Sequence, residues 1–73
     1  MKTNFFVLQV YVPRRGYVTI FCYEGCRSNA NRKFRTFLKR TSDLPSQVFR
    51  VETYKSVLDY FDDNPVRIIP FYP

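Results

Sequence analysis

The stretch from Cys26 to Thr41, CRSNANRKFRTFLKRT, is the one to which the rest of the chain must accommodate. Wound as a helix at about 100° per residue, it puts Ala30, Phe34, Phe37, Leu38 and Thr41 on one side. Arg32, Lys33, Arg35, Lys39 and Arg40 fall on the other. Neither set intrudes on the other's sector. Such a helix has one stable arrangement: the apolar side is laid on another element and five cations are left outward. Ser28 or Asn29 can cap its start. Lys39 and Arg40 suit the dipole at its end, whereas Arg32 and Lys33 near its start oppose it, each at a cost of about 0.3–1 kcal/mol.

The element that receives this helix lies upstream. Residues 4–12, NFFVLQVYV, have the β-branched and aromatic composition of a strand. Pro13-Arg14-Arg15-Gly16 is a turn, with Pro presetting φ and Gly accepting a left-handed position. Residues 17–24, YVTIFCYE, form the return strand. Val18, Ile20 and Cys22 point to one face, the expected core, and Tyr17, Thr19, Phe21 and Tyr23 to the other. Downstream, Ser42-Asp43-Leu44-Pro45-Ser46 reads as a connector and residues 47–52, QVFRVE, as a third strand. Thr53 can cap a second helix from Tyr54 to Asp63, whose Tyr54, Val57, Leu58 and Phe61 recur at i, i+3, i+4 and i+7 and should turn inward. Asn64-Pro65 stops it. Residues 66–72, VRIIPFY, make a last strand, with Pro70 marking a sheet edge.

The order ββαβαβ predicts a small α+β sandwich in one domain over residues 1–73. Strand–helix–strand crossovers are usually parallel, so strands two, three and four are expected to be mutually parallel and strand one antiparallel. This gives a four-stranded mixed sheet with both helices on one face. At 73 residues the core is near the lower limit of self-sufficiency. Eight Phe and six Tyr fill it with bulk, and homodimer formation is a second route to stability at this size.

Charge is placed unevenly. Residues 1–42 carry nine basic residues and one acid, Glu24, while residues 43–73 carry three basic residues and five acids. The basic half favours an anionic partner. The chain has no His, which removes the commonest general base and metal ligand and excludes Ser-His-Asp chemistry. With two Cys and no His, a closed zinc site is not expected. No apolar run approaches the roughly 18 residues of a membrane span. The expectation is a cytoplasmic protein without cofactor, metal or catalytic residues. Asp59, Asp62 and Asp63 near the end of the second helix read as a solvated face.

Two constellations remain. Arg14 and Arg15 at the hairpin tip and Arg27 before the helix join Arg32, Lys33, Arg35, Lys39 and Arg40, a distribution suited to successive phosphates. Tyr17, Phe21 and Tyr23 on an open sheet face are candidates for stacking unpaired bases or anchoring a partner. The second constellation is Cys22-Tyr23-Glu24-Gly25-Cys26, which sets Cys26 at a helix N-terminus beside Arg27, where a thiolate is favoured.

The segment YVTIFCYEGCRSNANRKFRTFL resembles the opening of glutaredoxins, and Ile69-Pro70 falls near their groove proline. That resemblance implies a monothiol redox protein using Cys26, Asn29 standing in place of the second cysteine. The strand ending in an acid, the arginine-rich helix, Gln47 with Phe49, and the run Pro65-Val66-Arg67-Ile68-Ile69-Pro70 resemble small ferredoxin-like proteins of the CRISPR-associated and VapD kind. Their metal-dependent nuclease activity rests on an Asp after the first strand, where this chain offers only Glu24. The leading expectation is a small non-enzymatic basic protein that contacts nucleic-acid phosphates, DNA or RNA, through the helix and hairpin tip. The alternative is an inhibitor or adaptor of viral or mobile-element type whose basic face docks on an acidic protein surface.

Overall fold

The computed structural model describes residues 3–41 and 47–72; the Ser42–Ser46 connector lies outside them. The elements run β1 (Asn4–Val12), β2 (Gly16–Gly25), α1 (Arg27–Thr41), β3 (Phe49–Tyr54), α2 (Val57–Phe61) and β4 (Arg67–Phe71). The fold is α+β, with a four-stranded sheet ordered β2-β1-β3-β4.

Every adjacent pair in that sheet is antiparallel, which corrects the expected mixed sheet. The crossover through α1 does leave β2 and β3 running the same way, since both oppose β1. However, β1 lies between them and pairs with each, satisfying ladders on both its edges. The link from β3 to β4 contains a helix of only five residues. It is too short to carry the chain back for a parallel strand, so β4 returns beside β3 in the opposite sense. Pro70 sits in β4, which is an edge strand as expected.

α1 lies across β1 and β2. Its Ala30, Phe34 and Leu38 form one buried cluster with Phe6, Leu8 and Val10 of β1, Phe49 and Val51 of β3, and Phe71 of β4, with Phe37 partly buried against it. Phe34 is fully buried and meets Phe21 and Phe71 edge-on, at centroid distances of 5.7 and 6.0 Å. Thr41 is exposed rather than inward; its hydroxyl donates to the Phe37 carbonyl at 2.9 Å.

The second helix differs from its sequence pattern. Tyr54 ends β3 and is buried there, while Leu58 and Phe61 are 69% and 74% exposed. The five-residue helix turns Tyr60 inward instead, against Phe5 and Tyr54, both at 5.3 Å. Phe5 and Tyr54 alternate with Phe6 and Thr53, so they belong to the sheet face turned away from α1. α2 therefore packs on the side opposite α1, and the placement of both helices on one face is corrected.

The hairpin loop has its own constraint. Arg15 N–H donates to the Val12 carbonyl at 3.0 Å, which makes Val12–Arg15 a β-turn with Pro13 second and Arg14 third. Arg14 has φ +73° and Gly16 φ +80°. Glycine was expected to carry the left-handed position, and Gly16 does, but the turn places Arg14 in a second one. This is the site that favours Gly in a type II turn. Arg14→Gly should therefore raise stability by about 0.5–1 kcal/mol. A thermal melt checks this, and an unchanged or lower midpoint would show that Arg14 carries no strain.

Candidate nucleic-acid interface

α1 presents Arg32, Lys33, Arg35, Lys39 and Arg40 outward, all exposed, as the helical spacing predicts. Its first turn contains no acid. Among the described residues no ion pair involves any of these cations; the one ion pair present joins Arg50 to Glu52 in the sheet. Arg32 hydrogen-bonds the Asn29 side chain. The Arg35 guanidinium lies over the Phe71 ring at 5.7 Å, a cation–π contact that holds it above β4. Arg32 and Arg35, and Arg35 and Lys39, are like-charged neighbours on successive turns, an arrangement that costs a few tenths of a kcal/mol per pair in the free helix.

The remaining cations divide by the direction of the chain. α1 runs back along β2, and Thr41 lines a small cavity of about 230 Å³ with Val10 and Ile20, close to the hairpin. Arg14 and Arg15 at the tip are exposed and lie beyond this end of the helix. Arg27 lies at the other end, beside Cys26. The hairpin tip thus lies toward the C-terminal end of α1, and Arg27 lies at its N-terminal end.

The aromatic candidates are split by a β-bulge. The β1–β2 register shifts between Leu8 and Gln9, so that Leu8 pairs with Phe21 and Gln9 with Thr19. The extra residue, Ile20, packs against the core. Before the bulge the sequence alternation holds: Tyr17 and Thr19 face away from α1. After it the alternation inverts. Phe21 and Tyr23 pack under α1, with Phe21 at 4.8 Å from Phe37, and Cys22, expected in the core, is exposed. A bulge adds one residue to one strand and reverses every side chain beyond it. Phe21 is thus committed to packing, and the open face keeps Tyr17, edge-on to Tyr11 at 5.4 Å.

That open face holds a polar network that the sequence analysis missed. Arg50 stacks over Tyr17 at 3.8 Å, donates to Gln9 Oε1 at 2.7 Å and pairs with Glu52 at 3.5 Å. Gln9 Nε2 in turn donates to Thr19 Oγ1 at 3.3 Å. The Tyr54 hydroxyl donates to Glu52 Oε1 at 2.8 Å. Burial, and then the neighbouring Glu52 carboxylate, push the Tyr54 hydroxyl above its ordinary pKa, so it stays a donor. Gln9 and Glu52 are both buried. The available signal was the alternation of Arg50 and Glu52 with Phe49 and Val51, which puts two opposite charges side by side on one face.

Cys26 opens α1; its carbonyl accepts the Ala30 N–H at 3.0 Å. Its Sγ lies 3.5 Å from Ser28 Oγ. The Ser28 hydroxyl, followed by the Asn29 backbone N–H, draws the thiol below its ordinary pKa. Both cysteines are free. Among the described residues no cluster of three or more Cys, Asp or Glu is placed to hold a metal ion, and no helix is long and apolar enough to cross a membrane. Comparison with protein-family models, with curated proteins and with solved structures finds no match to this chain.

Proposed function

We propose that the protein is a non-enzymatic module that binds nucleic-acid phosphates along the outer face of α1, with the hairpin tip extending the contact. The supporting observation is the unpaired state of the helix cations: five exposed positive charges on one helix with no acidic partner among the described residues. A solvated helix face ordinarily mixes signs, because i to i+4 pairs of opposite charge are favourable. A face that forgoes such pairs and sets cations on successive turns stabilises a polyanion instead, through release of its counterions. Docking on an acidic protein surface uses the same charges but also calls for apolar anchors near them. The most exposed such residues, Leu58, Phe61 and Tyr72, are on or beside α2 and at the end of β4, not on α1. This favours the nucleic-acid reading.

Lys33→Ala and Lys39→Ala are the clean probes, because Arg35 also packs on Phe71. Each should weaken binding to DNA or RNA of any sequence and lower the slope of log affinity against log salt by about one. Fluorescence anisotropy over a salt series measures both quantities. Absence of affinity for either nucleic acid at low salt would refute the proposal.

A further inference from the structure

At the end of the sheet remote from the hairpin, a cleft opens beside the first turn of α1. Toward the hairpin end the helix reaches β4, through Phe34 and Arg35 against Phe71. At its N-terminus the cleft, of about 630 Å³, lies between its first turn, the end of β3 and the start of β4. Arg27 enters from α1, Lys55 from just after β3 and Arg67 from β4, with Asn4, Cys26 and Thr53 among the lining. These are three exposed cations from three separate segments. None makes an ion pair among the described residues, and no acid lines the cleft.

We infer that this cleft is a second anion site, built for a phosphomonoester: a free mononucleotide or the terminal phosphate of a strand. Its volume suits a ligand of nucleotide size. Three cations lining one cleft match a dianion better than the single charge of an internal phosphodiester. Asn4 and Thr53 supply neutral polar groups to a phosphate oxygen. The site is separate from the outer face of α1, so it stands or falls independently of the proposed backbone contacts.

The two cysteines make the test site-resolved. Cys26 lines the cleft, whereas Cys22 projects from the other face of the sheet. A bound dianion both covers Cys26 and repels its thiolate, and a shift of one pKa unit below the thiol's pKa changes the thiolate fraction about tenfold. Iodoacetamide labelling of each cysteine is followed by peptide mass spectrometry at constant ionic strength. The probes are AMP, a 5′-phosphorylated oligonucleotide and the same oligonucleotide with a 5′-hydroxyl. Cys26 labelling should slow about tenfold with a phosphomonoester, while Cys22 labelling stays unchanged. Lys55→Ala or Arg67→Ala, at exposed positions, should abolish the protection, and Lys39→Ala should leave it. Protection by AMP assigns a free mononucleotide; protection by the phosphorylated strand alone assigns a strand end. No selective protection of Cys26, equal protection by the 5′-hydroxyl strand, or protection that survives both cleft substitutions would overturn the inference.

Discussion

Phe34→Ala should leave the protein largely unfolded at ordinary temperature. The ring is fully buried and seats α1 on the sheet, touching Phe21 on β2 and Phe71 on β4. Emptying such a site costs about 3–5 kcal/mol, against a total stability of roughly 5 kcal/mol for a domain of this size. Phe37 is partly buried at the margin of the same cluster, so Phe37→Ala should cost less and leave a folded protein with a lowered melting temperature. Arg32→Ala, on the exposed side, should stay within about 0.5 kcal/mol of the parent. Circular dichroism melts of the three variants order them. A stable Phe34→Ala protein would mean that α1 is not seated on the sheet through this ring.

Arg50→Ala should have the second largest effect, at about 2–3 kcal/mol, less than the full cost of breaking a buried pair because Arg50 keeps some solvent contact. The substitution removes the stack on Tyr17 and the bond to Gln9, and it leaves Glu52 buried with Tyr54 as its remaining partner. A urea titration should show an earlier midpoint with an unchanged slope. A midpoint equal to the parent's would mean that solvent replaces the guanidinium at no cost, and that the network is incidental.

These two residues also mark what could be read before the structure. Phe34 was legible because helical spacing depends on local geometry alone, and the same holds for β1, for the hairpin and for the five outward cations. What could not be read depends on pairing. The inversion at Ile20 is invisible to an alternation argument, because a bulge belongs to two strands and not to one. It took Phe21 and Tyr23 off the open face and put Cys22 on it. The second helix misled for a related reason. Tyr54, Val57, Leu58 and Phe61 have helical spacing, but Tyr54 is claimed by the ladder of β3 with β1, which leaves too few residues for the stripe to turn inward. The direction of β4 followed from that shortening. The cleft at the start of α1 escaped notice because Arg27, Lys55 and Arg67 are far apart in sequence and meet only through the order of the strands.

The Arg50–Glu52 pair also bears on how accurately the chain assembles. A one-residue slip of β3 beside β1 would turn Phe49 and Val51 out of the buried cluster and turn the charged residues into it. The same slip would aim Arg50 and Glu52 at Leu8 and Phe34, where neither charge finds a partner. The desolvated charges thereby add their own cost to the loss of apolar contact. Two charged residues in the middle of a strand act as a proofreading device for folding, rejecting the nearest wrong answer.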